Sequence, residues 1–324
     1  MTDSQLCILI LAIAPLLLLP FIGLLIEALR KRPTERPSGF SWTETPASYV
    51  NVHGADLRYV RAGSGPTLFL LHTLRTQLDM FQKVFDRLAE HADVIAVDYP
   101  GHGFSDIPDA AYTPELFRKY VAGFLDALDL TEVTVVGESI GASIGLQLAG
   151  EKNPRISRVI AINPYDYGRG RGVMRSSLAA KVFMGIANVP VIGITTWRLR
   201  FFPAHVSVMN GGISNRGAIP DSLMKEMYHV GSRPGHLKAF ISLIRHFPDW
   251  ETDRSVYANI EIPVTLVYGE HDWSTAAERL ANESEIPNAK RIDIAGAGHF
   301  LSIDAPDQAI EVINGRATPQ NMRS

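Results

Sequence analysis

Short runs of aliphatic residues recur along the chain and are separated by polar segments that contain glycine or proline. Each run has four or five residues, too few for a helix, and most show no alternation of apolar and polar positions. Strands of a parallel sheet that is covered on both faces have this composition. The predicted strands are Thr67–Leu71, Val94–Val97, Val133–Val136, Val159–Ile162, Val264–Val267 and, half-buried, Arg291–Ile294.

Helices are predicted between most of these strands, and a hairpin is predicted before them. The helical segments are Phe81–Ala89, Pro114–Leu128 and Ile140–Glu151. Thr113 is placed to cap the second of them, since a threonine precedes a proline at the first helical position. The hairpin strands, on either side of a His53-Gly54 turn, are Tyr49–Val52 and Leu57–Arg61. Alternating strands and helices predict an α/β fold with a doubly wound, mostly parallel sheet of about eight strands.

This alternation is interrupted once, between Ile162 and Val264. The interval has helical periodicity, several proline and glycine breaks and no clear strand. We therefore predict an inserted helical cap at about residues 164–255, lying over the carboxyl edge of the sheet. The main domain is predicted to span residues 47–315, followed by a polar tail at 316–324.

The amino-terminal part of the chain is different in character. Leu6–Ile26 contains no charged residue, and as a helix it would be about 31 Å long, enough to cross the hydrocarbon core of a bilayer. We predict a single transmembrane anchor at residues 1–30 and a linker at 31–46; a helix lying in the membrane interface or against a partner is the alternative. Basic residues follow the apolar run, namely Arg30, Lys31, Arg32 and Arg36. Their position places the globular part on the cytoplasmic side.

Composition narrows the function further. The chain is 46 % hydrophobic and 20 % charged, as globular proteins are. Its net charge of −3 does not indicate a nucleic-acid-binding surface. The single cysteine, Cys7, lies in the apolar run, which excludes a disulfide, a thiolate zinc site and a catalytic thiol from the rest of the chain. No metal or organic cofactor is expected. Nothing in the sequence indicates the oligomeric state.

A nucleophile motif follows the run Val133–Val136. Gly137–Gly141 reads G-E-S-I-G, and it opens a predicted helix, so it has the strand–turn–helix setting of a nucleophile elbow. A second match of the same pattern, centred on Ser143, overlaps the first. Ser143 falls one turn inside the helix, where its hydroxyl can bond a preceding carbonyl. Ser139 is therefore the predicted nucleophile.

A nucleophilic serine needs a base, and the base needs an orienting carboxylate. Asp272 follows the run that ends at Val267, and His299 follows the run that ends at Ile294, so both lie near the carboxyl ends of strands, where sites assemble in such sheets. We predict a triad in which His299 accepts the proton of Ser139 and Asp272 holds the imidazole. Glu270 and Asp166 are alternative acids.

The chain resembles the α/β-hydrolase superfamily over roughly Ser48–Gly315. The triad order Ser, Asp, His is that of the family. Leu70-Leu71-His72 is similar to the oxyanion loop, and Asp98–Ser105 is similar to the family's D-x-x-G-x-G-x-S loop. The nucleophilic serine distinguishes the chain from the aspartate-nucleophile branches, the haloalkane dehalogenases and epoxide hydrolases.

The resemblance also implies an oxyanion hole. Its donors would be the backbone N–H groups of Ile140 and, from the loop after His72, Leu74. The family usually has glycine where this chain has Thr73, which leaves the second donor less well defined. Thr73 and Arg75 either reach toward the substrate or are ordinary loop residues.

Three residues are candidate substrate contacts. His72 and Thr73 belong to the predicted oxyanion loop, and Trp197 lies in the apolar cap segment Val182–Pro203. This segment either lines an acyl pocket, touches the membrane or forms ordinary cap core. Glu138, beside the nucleophile, is interpreted as an ion-paired wall residue; alternatively, its charge raises the pKa values of the site.

These features together predict a membrane-anchored serine hydrolase that cleaves an ester-like bond of a hydrophobic or lipid-like acyl substrate through an acyl-enzyme. The same triad also serves thioesterases, amidases, aminopeptidases, carbon–carbon hydrolases and cofactor-free perhydrolases. A catalytically silent binding module is the alternative outside enzymes.

Overall fold

The computed structural model describes residues 18–33, 35–287 and 289–316. Its centre is an eight-stranded sheet with the order β1-β2-β4-β3-β5-β6-β7-β8. The strands are β1 Ser48–Val52, β2 Ala55–Ala62, β3 Thr67–Leu71, β4 Asp93–Val97, β5 Val133–Glu138, β6 Ile156–Ile162, β7 Val264–Gly269 and β8 Lys290–Ile294. Every predicted strand is present, and β1 and β2 form the predicted hairpin.

The sheet is antiparallel at one edge and parallel from β4 to β8. β2 pairs antiparallel with β1 and β4, whereas the other neighbours are parallel. All residues of β4 and β7 are buried, as expected for strands covered on both faces. The prediction of an α/β fold with a mostly parallel sheet of about eight strands is confirmed.

Helices cover both faces of the sheet. The Thr113 hydroxyl accepts a hydrogen bond from the Leu116 N–H and so caps α3 as predicted. The segment Phe81–Ala89 was predicted as one helix. The structure instead has a short 3₁₀ turn, Leu78–Phe81, followed by the short helix α2. The helices outside the cap are α1 residues 18–29, α2 Phe85–Ala89, α3 Pro114–Ala127, α4 Ile140–Gly150, α11 Ala276–Glu285, α12 Leu301–Asp304 and α13 Pro306–Ile313.

The long interval between β6 and β7 is helical, as predicted. Residues 163–263 are all described and contain no strand. The cap helices are α5 Leu178–Ile186, α6 Ile192–Arg198, α7 Phe202–Asn210, α8 Asp221–Val230, α9 His236–Arg245 and α10 Phe247–Thr252. Buried cap residues such as Trp197, Met227 and Phe240 join the hydrophobic core on one face of the sheet.

Helix α1 packs on the cap. Gly23 permits the close approach, because a Cβ there would lie 3.3 Å from the Cβ of Arg198. Glu27 accepts a hydrogen bond from Arg200 at 2.7 Å, and Arg30 donates to the Tyr228 hydroxyl at 2.8 Å. None of the described helices has the length and apolar character needed to span a bilayer, and residues 1–17 of the predicted anchor lie outside the described residues.

The segment predicted as a linker contacts the main domain. Trp42 donates a hydrogen bond from Nε1 to Asp79 at 2.8 Å, and its ring meets Phe85 edge to face. Arg36 forms ion pairs with Asp56 and Asp106 at the surface. The described residues of this segment form no helix or strand. Its side-chain contacts nevertheless fix it against the domain.

Candidate active site

Ser139 lies in a sharp turn between β5 and α4. Its backbone has φ 60° and ψ −119°, in a region that non-glycine residues rarely adopt. Its N–H donates to the Ile162 carbonyl at 2.9 Å. The flanking glycines are required because a Cβ at Gly137 would lie 2.2 Å from the Gly141 carbonyl, and one at Gly141 equally close to the Leu71 carbonyl. The strand, turn and helix have the predicted arrangement.

The three residues of the predicted triad form one hydrogen-bonded chain. The Ser139 Oγ lies 2.8 Å from the His299 Nε2. The opposite nitrogen of the ring, Nδ1, is hydrogen-bonded to the Asp272 carboxylate. Ser139 and His299 are fully buried and Asp272 is 9 % exposed. An imidazole held in this way has one nitrogen facing the hydroxyl and the other facing the carboxylate, which is the arrangement that general-base activation of a serine needs.

Asp272 is held in its ionised form. Its second oxygen accepts hydrogen bonds from the N–H and the hydroxyl of Ser274, the former at 3.0 Å. Burial alone would raise the pKa of Asp272, but the neighbouring His299 and these hydrogen bonds lower it below its usual value of 3.8. The Ser274 hydroxyl in turn accepts from Arg279 Nε at 2.9 Å, which fixes its orientation.

Trp273 packs against His299, a contact that the sequence did not predict. Its ring stacks on His299 with centroids 3.7 Å apart and an angle of 12° between the planes. The indole N–H donates to the Gly211 carbonyl of the cap at 2.8 Å. Its position directly after Asp272 was the available signal, but nothing in the spacing shows that the ring turns toward the histidine.

The alternative site residues lie elsewhere. Ser143 donates to the Ser139 carbonyl at 3.3 Å, as predicted for a serine one turn into a helix. Asp166 accepts from Tyr257 and Asn282 and forms no hydrogen bond with the His299 ring among the described residues. Glu270 accepts the Gly296 N–H at 2.8 Å in an exposed turn.

The predicted oxyanion donors are adjacent to the nucleophile. Ile140 is the first residue of α4, directly after Ser139, and Leu74 lines the same cavity as Ser139. Among the described residues, neither N–H donates to a protein acceptor. Both are consequently free to receive the charge of a substrate oxygen, which is the role predicted for them.

Of the three candidate substrate contacts, Thr73 and Trp197 line the cavity and His72 does not. The expectation for His72 was wrong because its ring is fully buried behind the oxyanion loop. Its Nδ1 donates to the Thr73 carbonyl at 2.8 Å, and its Nε2 accepts the Tyr99 N–H at 3.4 Å. Burial lowers its pKa to about 3, so the ring is a neutral support for the loop.

A cavity of about 820 Å³, measured to its open mouth, lies between the cap and the carboxyl edge of the sheet. Ser139 lines it at the sheet side. Most other lining residues are apolar side chains of the cap, including Ala180, Phe183, Met184, Phe201, Val208 and Met209. This is the lining of a site for a small, mostly apolar ligand.

Glu138 forms no ion pair with any described residue, contrary to the sequence-based interpretation. It is fully buried; one oxygen accepts the Ser302 N–H at 2.9 Å, and the other has no partner among the described residues. Burial raises its pKa to about 7, although hydrogen bonds from Ser302 oppose the shift. The carboxyl group therefore changes its charge near neutral pH, next to the nucleophile.

We expect Glu138→Gln to stabilise the protein at pH 8 by roughly 3 kcal/mol and at pH 5 by less than about 1 kcal/mol. The unfolded chain loses this proton near 4.5 and the folded chain only near 7, so wild-type stability falls as the pH rises between these values. Glutamine keeps an acceptor for Ser302 without a charge. Denaturant unfolding of both proteins at the two pH values measures the effect; an equal difference at both would show that the charge is irrelevant.

Comparison with known proteins agrees with this architecture. Residues 66–306 match the model of the alpha/beta hydrolase fold family. An uncharacterised protein of Mycobacterium tuberculosis is 26 % identical over 280 residues, covering 82 % of this chain and 79 % of the relative. A 2-(acetamidomethylene)succinate hydrolase of Mesorhizobium japonicum is 25 % identical over 271 residues, covering 82 % and 92 %.

Among solved structures, a bacterial membrane phospholipase A superimposes with a TM-score of 0.69 at 18 % identity, covering 97 % of this chain and 94 % of the other. This likeness shows a shared fold. The family model spans about three quarters of the sequence, including β3 to β8 and the elbow. The chain belongs to the α/β hydrolase family.

Proposed function

We propose that this protein is a serine hydrolase that cleaves an ester-like bond of a hydrophobic acyl substrate through an acyl-enzyme. The observation that carries the proposal is the hydrogen-bonded series Ser139, His299 and Asp272 at the wall of an apolar cavity. The curated relative from Mesorhizobium japonicum, itself a hydrolase, supports the general class of activity.

The proposed reaction has two halves. Ser139 Oγ attacks the carbonyl carbon while His299 Nε2 takes its proton, and the N–H groups of Leu74 and Ile140 bind the oxygen that becomes negative. When the tetrahedral intermediate collapses, the bond to the leaving alcohol breaks and His299 gives that alcohol the proton. Water then attacks the acyl-enzyme with the same base, releasing the acid and restoring Ser139.

The cavity favours an apolar acyl group. Its cap side consists mainly of aliphatic and aromatic side chains, so a hydrocarbon chain entering it exchanges water for apolar contacts, at about 0.8 kcal/mol for each buried CH₂. A short, polar acyl group would leave much of this surface unfilled.

We also propose that the protein works at a membrane, held by its amino-terminal segment on the cytoplasmic side. Exposed apolar side chains lie on two neighbouring parts of the surface, α1 and the outer side of the cap. They include Leu18, Phe21, Ile22, Leu24, Leu25 and Leu29 on the first, and Leu178, Val182, Val191, Ile192 and Phe201 on the second. Surfaces of this kind are typical of membrane contact. Phe201 also lines the cavity, so the apolar surface continues into the site.

The full-length protein, purified in detergent, would be tested on 4-nitrophenyl esters of increasing acyl length. We expect kcat/KM to rise from the acetate to medium-length or longer chains, with Ser139→Ala giving the background. A maximum at the acetate would contradict the hydrophobic substrate.

The proposed anchor is tested by fractionating cells that express the protein. We expect the protein to stay in the membrane fraction after an alkaline carbonate wash; its release would contradict the anchor.

A further inference from the structure

Arg75 is a cation on the wall of the proposed substrate cavity. It follows Leu74 in the oxyanion loop and lines the cavity together with Ser139. Its backbone has φ 54°, in the left-handed region that non-glycine residues seldom adopt. The guanidinium lies over two aromatic rings, 4.4 Å from the centroid of Phe240 and 5.2 Å from that of Trp197. These rings hold the side chain in place inside the cap.

No carboxylate neutralises this cation in the described part of the chain. Arg75 forms neither an ion pair nor a side-chain hydrogen bond with any described residue, and the acid whose charge acts on it is paired with other arginines. That acid is Glu27, which lies 2.7 Å from Arg200 and 3.2 Å from Arg30. Two other arginines therefore share this carboxylate, and Arg75 has no carboxylate partner among the described residues.

The other polar groups around the cavity leave the positive charge of Arg75 uncompensated. Burial, together with Arg75, lowers the pKa of His205 to about 3, and His236 is likewise kept neutral. The indole N–H of Trp197 and the Nε2 of His205 have no hydrogen-bond partner among the described residues. The cavity thus contains a surplus of positive charge and at least one unused donor.

Burial lowers the pKa of Arg75 itself but leaves the side chain charged. It lowers the pKa of the guanidinium to about 9, and the neighbouring Arg200 adds to the shift. Arg75 is still protonated at neutral pH. An aromatic ring attracts a cation but accepts none of its N–H groups in the plane of the guanidinium, so packing on Phe240 leaves those donors without a protein acceptor among the described residues.

We propose that Arg75 binds an anionic group of the substrate, a carboxylate or a phosphate, close to the scissile ester. This assignment rests on the proposed function, because it takes Leu74 as a donor to the ester carbonyl. Since Arg75 is the next residue and lines the same cavity as Ser139, an anion that it binds would belong to the same small substrate molecule and lie near that carbonyl. The planar, forked guanidinium suits either anion. The substrate would then be an amphiphile, with a hydrocarbon chain in the cap and an anion beside the ester.

Two matched substrate pairs test the assignment. The first compares a 1-acylglycerol with the corresponding 1-acylglycerol 3-phosphate, which places the anion on the alcohol side. The second compares 4-nitrophenyl pentanoate with 4-nitrophenyl hydrogen succinate, which places it on the acyl side. Each pair is measured with wild type, Arg75→Met, Arg75→Lys and the control Arg216→Met, a change of an exposed arginine outside the cavity.

We expect wild type to prefer the anionic member of one pair, and Arg75→Met to lose about 10- to 100-fold in kcat/KM on it while changing the neutral member less than about threefold. Arg75→Lys should retain part of the preference, and Arg216→Met all of it. The pair that shows the effect identifies the anion as an alcohol-side phosphate or an acyl-side carboxylate.

Other outcomes would overturn the assignment. Equal losses on the neutral and anionic members would show that Arg75 only supports the loop, and a wild type without charge preference in both pairs would show that no anion binds. Labelling by a neutral fluorophosphonate separates this from failure of the proposed function. A labelled enzyme without charge preference contradicts only the role of Arg75, whereas an unlabelled, folded wild type contradicts the hydrolase itself.

Discussion

Ser139→Ala is expected to abolish labelling by a fluorophosphonate and to reduce kcat for ester hydrolysis by about 10⁶-fold, as loss of the nucleophile does in a known serine protease. The probe reacts only with a serine whose proton is being removed. In this chain Ser139 has the base within hydrogen-bond distance, at 2.8 Å from His299 Nε2. The effect on folding should be small, because alanine removes one hydroxyl from the turn without adding volume.

Ser143→Ala is the matched control, since it makes the same chemical change one helical turn away. Ser143 accepts the Tyr165 N–H at 3.0 Å and donates to the Ser139 carbonyl, so its loss should lower stability and leave labelling intact. Labelling lost only in Ser143→Ala would overturn the assignment of the nucleophile. A folded wild type that is not labelled at all would favour a catalytically silent binding module.

Asp272→Asn is expected to reduce kcat by about 10⁴-fold with little change in KM. The amide would present an N–H to one of its present partners, either His299 Nδ1 or the Ser274 donors, and the imidazole would lose the carboxylate that stabilises its charged form. Because the pKa of Asp272 is lowered in the folded protein, the stabilisation that its carboxylate gives is complete at neutral pH and is lost only as the pH falls below about 4.

Steady-state kinetics on a single ester, together with the two alternative acids, check this assignment. Glu270→Gln and Asp166→Asn should keep kcat within a few-fold of wild type; the second is expected to lower stability, because Asp166 is fully buried between Tyr257 and Asn282. If Glu270→Gln lost as much activity as Asp272→Asn, the turn after β7 would supply its other carboxylate to the base.

Much of the fold was predictable because its signals are local. A continuous aliphatic run such as Val264–Val267 is compatible with few environments other than a strand covered on both faces, and β7 is buried throughout. The elbow was equally visible, since the glycines at 137 and 141 are required by backbone contacts below 3 Å. The order of the serine, acid and base along the chain then matched a known family.

What could not be predicted depends on contacts between distant segments. A histidine at position 72 looks like a wall residue, but whether its ring faces the cavity or the Tyr99 backbone depends on the loop that Thr73 begins. Trp273 is one of four tryptophans, and only the folded chain shows that it stacks on His299. The lack of an ion pair at Glu138 was equally unpredictable, because only the packed core shows that no described cation pairs with it.

The attachment of α1 to the cap has a consequence for how the enzyme is prepared. Removing the first 32 residues to obtain a protein that needs no detergent would delete Glu27 and Arg30. Arg200, 5 % exposed and part of the cavity wall, would then lose the one carboxylate that pairs with it among the described residues, and Tyr228 would lose a donor. In such a shortened protein Arg200 would be a second cation at the cavity wall without a carboxylate partner, and the substrate preference would not represent that of the chain with α1.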